Sequence, residues 1–323
     1  MRAIVQDTYG SADVLRLDDI DVPEPGTGEV LVQVRAAGVD RGVWHLMRGE
    51  PLIARVALGL RRPRRRVLGG DVAGVVAKVG PGVTGFEVGD EVFGVGKGTF
   101  AELAVVPVKK LVHVPAGVPL EQAAAAPISG ITALHAVREV GKVQPGQSVL
   151  VIGAAGGVGT YAVQIAKAAG AEVTAVCSGA KADLVRSLGA DHVVDYTRDD
   201  IVELGQRYDV VLDIAGNRTL RQLRRVLAPK GTLVIVGGEE GGRWLGGIQR
   251  NLWAALWSPF ISQRLRAFVS RERGADIQAL AEMMAAGTVT PAVERTFPLA
   301  EAADAIRHLH AGHARGKVVV LVD

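Results

Sequence analysis

One cysteine, Cys177, stands in a chain of 323 residues. A single thiol builds neither an intramolecular disulfide nor a zinc site of several thiolates, and this points to a reducing compartment, by default the cytoplasm. A large charge imbalance is also missing. The net charge is +3, and the five arginines Arg61, Arg62, Arg64, Arg65 and Arg66 outweigh it, so the rest of the chain is slightly acidic. No general footprint for nucleic acid follows, and the arginine run reads as a solvated loop. Disorder and coiled coil do not fit a chain that is 48% hydrophobic and 22% charged. No signal-like apolar core is expected at the start, because Asp7 arrives too early. The uncharged stretch Val143 to Ala166 is long enough to cross a bilayer, but it carries Pro145 and several glycines, so strand, loop and helix explain it better than a membrane span.

Glycine is abundant, at 41 residues, which implies many tight turns and close backbone approaches. At roughly 150 residues per domain the length suggests two domains. Up to about residue 115 the pattern is one of short strands: Ala3 to Gln6, Val30 to Arg35, Val72 to Val79, Glu91 to Val95, Phe100 to Val106 and Leu111 to Val114. In Val30 to Arg35 the valines alternate with Leu, Gln and Arg, the period of a half-buried strand. Such spacing predicts a sandwich or partly open barrel. After Pro127 helices alternate with continuous apolar strands, Val149 to Ile152, Val173 to Val176, Val210 to Ile214 and Leu233 to Val236. Continuous runs are expected where helices cover both faces of a parallel sheet. A helix through Ala302, Ala305, Ile306 and Leu309 and a last strand, Lys317 to Val322, are placed to return to the first domain.

The strand Val149 to Ile152 runs into Gly153-Ala154-Ala155-Gly156-Gly157-Val158-Gly159, and a helix follows from Thr160. Ala154-x-Gly156-x-x-Gly159 is a dinucleotide fingerprint with alanine in its first position. Gly156 lets backbone approach a pyrophosphate, Gly159 permits close helix packing, and the helix N-terminus offers oriented N–H donors, with Gly157 and Val158 in the loop as further cofactor-binding candidates. The second strand ends in Cys177-Ser178-Gly179-Ala180-Lys181, with no acid between Glu172 and Asp183. A small polar residue and a cation suit a 2′-phosphate, so the expected cofactor is NADPH.

These residues, together with Glu29 to Val34, Ala36-Ala37-Gly38-Val39-Asp40, Gly70-Asp71-Val72-Ala73-Gly74, Val88-Gly89-Asp90-Glu91-Val92, Leu188-Gly189-Ala190-Asp191 and Gly316-Lys317-Val318-Val319, resemble the medium-chain dehydrogenase/reductase superfamily. The likeness is to its zinc-free quinone oxidoreductase and enoyl reductase branch. It implies an α/β protein with a GroES-like β-barrel domain, residues 1–123 and 292–323, around a Rossmann doubly wound parallel sheet domain, residues 124–291. Zinc-dependent members carry a cysteine and a Gly-His-Glu motif where this chain has Asp40 and Gly70-Asp71-Val72, so no metal is expected. The implied chemistry is hydride transfer from NADPH to a quinone or α,β-unsaturated carbonyl. By the same resemblance Thr132 sits near the nicotinamide and phosphates, Ser178, Lys181 and Tyr196 meet the 2′-phosphate, and Gly237 with Gly238 faces the nicotinamide. Two other readings stay open: an NADPH-binding sensor or partner without turnover, and an alcohol or aldehyde dehydrogenase.

Asp40 replaces an asparagine common in that branch, and His45 follows it in a segment expected to face the acceptor. Both are candidate proton sources. Trp44 is a candidate wall of the substrate pocket, with ordinary packing as the equal alternative. Trp244, Trp253 and Trp257 cluster, and Trp253, Leu256, Trp257 and Phe260 share a helical face. Core packing is the first reading of that face, a pocket wall or subunit interface the second, and membrane contact the last. Homo-oligomer formation is left open.

Overall fold

Valine-rich segments in the first third of the chain become antiparallel strands: β1 (Arg2–Val5), β2 (Arg16–Asp19), β3 (Glu29–Val39), β4 (Asp71–Val79), β5 (Glu91–Val95), β6 (Leu103–Pro107) and β7 (Leu111–His113). Two helices, α1 (Arg41–Arg48) and α2 (Arg55–Leu58), lie between β3 and β4, and α3 (Leu120–Ala125) and α4 (Pro127–Leu134) follow β7. Val32 and Val34 are buried while Gln33 and Arg35 are exposed, the expected alternation, but Leu31 is buried along with Val30, so the first part of the strand is covered on both faces. The strand expected from Phe100 starts only at Leu103, because Phe100 turns fully inward and Ala101 makes a lone bridge to Ala3.

From Ser148 the strands turn parallel: β8 (Ser148–Ile152), β9 (Glu172–Cys177), β10 (His192–Asp195), β11 (Tyr208–Asp213), β12 (Leu227–Ile235) and β13 (Arg264–Ala267). Helices α5 (Gly157–Ala168), α6 (Ala182–Ser187), α7 (Leu220–Arg225), α8 (Gly242–Leu245) and α9 (Ile248–Trp257) connect them. The sheet order is β10-β9-β8-β11-β12-β13, so the strands run outward in both directions from β8. That is the doubly wound nucleotide-binding arrangement. Leu150, Val211, Leu233 and Leu265 pack with Leu223 of α7 and Ala254 of α9, and α5 lies against β8 and β9.

The chain then returns through α10 (Gly274–Ala285), β14 (Val293–Pro298), α11 (Ala302–His310) and β15 (Lys317–Leu321). One long edge of β3 pairs with β4, and the other is shared between β6 along its first half and β15 along its second. This closes a GroES-like barrel from both ends of the chain. The computed structural model describes residues 1–238, 242–312 and 314–323 in two compact units, Met1–Ile131 with Arg271–Asp323, and Thr132–Ser270. The divisions fall later than residue 123 and earlier than residue 292. α10 accounts for the second difference: it packs on β7, its Leu280 fills the space beside Gly130, and Lys110 pairs with Glu272 just before it.

The expected core face of α9 is only partly a core face. Trp257 packs inward with Ala254, but Trp253, Leu256 and Phe260 are exposed. Helical spacing identifies residues that share a face without saying which way the face points.

Candidate functional site

Strand order reverses between β8 and β11, and ligands of open α/β sheets bind beyond the strand ends at such a point. β8 leads there into Gly153, whose φ of +85° is in the left-handed region. A Cβ on Gly159 would lie 2.1 Å from the Gly153 carbonyl oxygen, so only glycine lets α5 start this close to the strand. Gly156 is the N-cap residue of α5 and brings no capping side chain. The helix start at Gly157 and Val158 therefore presents backbone donors and a positive dipole end to the loop, the donor set that a pyrophosphate needs.

Around the end of β9 the structure gathers residues far apart in sequence. Ser178 is the N-cap residue of a 3-10 turn, Gly179–Lys181, and makes no side-chain bond to it. The Tyr196 amide donates to the Cys177 carbonyl at 3.1 Å, which brings an exposed phenol to the same strand end. Burial pushes the Cys177 thiol up, while Lys181 and Arg186 pull it back, so two cations act on this corner. An acid stands here as well, contrary to the sequence expectation. Asp195 lies opposite Cys177 in the β10–β9 register and would collide with a Cβ on Gly179. The Thr197 hydroxyl at 2.7 Å and amide at 3.0 Å hold its carboxyl below the usual carboxylate range. It arrives from β10, so the residues between Glu172 and Asp183 give no sign of it.

Beyond β11 and β12 the backbone forms a floor without side chains. A Cβ on Gly237 would lie 2.1 Å from the Ile214 carbonyl oxygen, and one on Gly216, whose φ is +71°, 2.7 Å from the Gly237 carbonyl carbon. A Cβ on Gly238 would lie 2.9 Å from the Gly247 Cα. Next to this floor lies a cavity of about 460 Å³ lined by Gly216, Arg218, Leu220, Gly238, Arg250 and Trp253 among others. Arg250 pairs with Asp213, which is fully buried at the end of β11 and whose carboxyl is pushed up by burial against the pull of Arg250. Nε and Nη1 of Arg250 are buried with no hydrogen-bond partner among the described residues. Thr132 is half-buried on α4, where this unit begins.

In the first unit Asp40 is the N-cap residue of α1. Its Oδ1 accepts from the amides of Gly42 at 2.6 Å and Val43 at 3.2 Å, while Oδ2 is buried without a hydrogen-bond partner among the described residues. His45 is half-buried one turn into α1. Trp44 stacks on His310 of α11 with ring centroids 3.6 Å apart and planes 10° apart, and Arg48 covers it at 5.5 Å. Trp44 thus has a packing role here. Behind this segment lies a buried ion pair that joins the two ends of the chain. Lys317 Nζ, at the start of β15, is 3.2 Å from Asp71 Oδ2, at the start of β4, and donates to Ser129 Oγ at 3.1 Å. The Ile128 amide donates to Asp71 Oδ1 at 2.7 Å. Burial pushes the Asp71 carboxyl up to about 6, Lys317 and the Ile128 amide pull it down, and Asp40 pushes it further up.

A model of the alcohol dehydrogenase GroES-like domain matches residues 26–116, and one of the zinc-binding dehydrogenase domain matches residues 188–320. A chloroplastic quinone oxidoreductase of Triphysaria versicolor is 32% identical over 99% of this chain and 98% of its own. The chloroplastic NADPH-dependent alkenal/one oxidoreductase of Arabidopsis thaliana is 34% identical over 99% of this chain and 79% of its own. A mycobacterial protein solved with NADPH is 31% identical and superposes with a TM-score of 0.85, over 99% of this chain and all of the other. The chain belongs to the medium-chain dehydrogenase/reductase family. Within it, the quinone oxidoreductase branch carries the likeness.

Membership of this family gives the Asp71–Lys317 pair its context. Gly38, Asp71 and Lys317 sit in three of the segments that carry the family likeness, and the fold brings all three together. A Cβ on Gly38 would lie 2.6 Å from Asp71 Oδ2 and 2.5 Å from the Ala124 carbonyl oxygen, so glycine in β3 makes room for the pair. Sequence reasoning saw each segment but had no signal that they converge. The Asp213–Arg250 pair was missed as well, because its two members lie on different elements and match no motif.

Proposed function

We propose that this protein is a reductase that passes a hydride from NADPH to a quinone or an α,β-unsaturated carbonyl, without zinc. The observation that carries the reading is the helix start at Gly156, Gly157 and Val158, uncapped by any side chain of its N-cap residue and set at the point where the parallel sheet reverses its order. Bound NADPH supplies the hydride. The amides of Gly157 and Val158 hold its pyrophosphate, and Ser178, Lys181 and Tyr196 hold the 2′-phosphate through one ammonium and two hydroxyl donors. Gly237 and Gly238 would face the nicotinamide, with Thr132 near it. Asp40, through its unbonded Oδ2, and His45 serve the acceptor as proton source or by holding a water.

The donor set does not suit zinc. Asp40 Oδ1 is committed to two amides, and Asp71 Oδ2 already faces the Lys317 ammonium, which would oppose a second cation. A conjugated acceptor spreads the incoming charge over its own framework, so the reaction depends less on a Lewis acid than alcohol oxidation does. The Triphysaria relative is named for quinones and the Arabidopsis relative for alkenals and alkenones, which supports this acceptor class. The one thiol, buried, is consistent with a reducing compartment such as the cytoplasm.

The test is NADPH consumption against a panel of quinones and enones, with chelator present and with elemental analysis of the purified protein. Turnover that survives chelation is expected. Stoichiometric zinc whose removal abolishes turnover overturns the mechanism, and tight NADPH binding with no turnover on any acceptor points to a sensor instead.

A further inference from the structure

We propose that the ridge formed by α8, α9 and Phe260 binds the surface of an anionic lipid bilayer. α9 is turned the opposite way from an ordinary surface helix. Its cation, Arg250, points inward to Asp213, while Ile248, Leu252, Trp253 and Leu256 point outward. Trp244 is 74% exposed, Leu252 65%, Trp253 53% and Phe260 83%. Residues 248, 252 and 256 recur every fourth position, and 253, 256 and 260 continue the stripe, so the exposed side chains form one strip along the helix. Soluble proteins rarely leave large apolar side chains contiguous on their surface, and such a strip marks a binding surface.

Charge decides the occupant. From Ile214 to Ser270 there are nine arginines and lysines against two acids, Glu239 and Glu240, and seven remain once Arg218 and Arg250, paired with Asp200 and Asp213, are set aside. Exposed cations flank the strip. Arg221 and Arg225 lie on α7, Arg243 on α8, and α7 is held beside α9 with the Arg224 guanidinium 5.9 Å from the Trp257 ring centre. Tryptophan and phenylalanine at the ridge with arginines beside it is the composition of a helix lying in the headgroup layer. A second copy of the chain fits less well. In a two-fold contact the same face must supply the acids for these cations, and this segment of the sequence has few. The inference does not depend on the acceptor class, since turnover of a water-soluble quinone needs no bilayer.

The experiment is flotation of the whole protein with phosphatidylcholine vesicles, with and without phosphatidylglycerol. Binding to the anionic vesicles and weakening by salt are expected. Trp244→Ser with Phe260→Ser, and separately Arg225→Gln with Arg243→Gln, should each lower the bound fraction about tenfold or more, the second pair by losing about 1 kcal/mol per arginine. These side chains are exposed, so folding is unaffected, and unchanged turnover of a soluble quinone verifies it. No binding to either vesicle, or binding unchanged in both variants, overturns the proposal. So does a parent dimer that the Trp244/Phe260 variant converts to monomer without altered flotation, because the ridge would then be a subunit contact.

Discussion

A lysine ammonium 1% exposed, facing a carboxylate that is wholly buried, is costly to place and more costly to break. Asp71→Asn leaves Lys317 charged and uncompensated, and should destabilise the protein by about 3–5 kcal/mol at neutral pH. Adding Lys317→Met should recover much of that loss, as urea unfolding will measure. The pair also fixes a pH dependence. With the Asp71 carboxyl raised to about 6, the native state binds more protons than the unfolded chain between the ordinary carboxylate pKa and that value. Stability from this group therefore falls as pH rises through that window and is constant above it. The parent should lose stability relative to the double variant between about pH 4 and pH 6. An identical difference at pH 4 and pH 7 would show that Asp71 titrates normally. The cofactor corner is the second case in which the residue scale decides. Lys181→Ala should weaken NADPH binding about tenfold or more and barely change NADH, since a charge-assisted bond contributes about 1.5–3 kcal/mol. Asp195→Asn should shift the preference further toward NADPH, because an ionised carboxylate beside the strand end repels the phosphate. Titration of both cofactors into both variants tests this, and a Lys181 variant that loses both alike would show that the 2′-phosphate is not read there.

Helix α1 shows how an element's own needs overlap with chemistry. Asp40 stands where the sequence suggests a proton source, and the structure gives it a capping role that any helix start would use. The two roles separate by substitution. Asparagine caps as well as aspartate, whereas alanine does not, so Asp40→Ala should cost about 0.5–2 kcal/mol of stability and Asp40→Asn only a small fraction of that. If Asp40 also serves the acceptor as a proton donor, both variants should lose turnover by a similar factor. Turnover within twofold of the parent in Asp40→Asn would leave the residue as a cap alone. The glycine turn into α5 was legible from sequence because its constraint is local: strand, turn and helix are contiguous, and Gly159 is forced by a contact within the same motif. The outward face of α9 was not, because periodicity reports relative phase and the Asp213–Arg250 pair that sets the absolute phase joins residues from separate elements.

Across the whole molecule the two-domain architecture was legible because the strand rhythm changes at the crossing, from alternating to continuous. The limits of the units were less so. α10 has an unremarkable apolar face, and nothing in its sequence says that β7 and Gly130 receive it. The return of the C-terminus is the strongest constraint at this scale. β15 is an interior strand between β14 and β3, and it carries Lys317 to a partner that precedes it by most of the chain. The barrel unit cannot finish folding until the last residues are made, since β3 has no partner along half of one edge without them. A chain ending at residue 314 should therefore fail at two points together. Asp71 would be buried without its cation, and the second half of β3, Ala36 to Val39, would present unpaired N–H and C=O groups. Loss of a cooperative melt for that unit and aggregation on expression are expected. Supplying residues 315–323 as a separate peptide should restore little, because joining two molecules forfeits the advantage of linkage. A truncated protein that stays soluble and melts at the parent's temperature would show that β15 is dispensable and that the Asp71–Lys317 pair contributes nothing to holding the ends together.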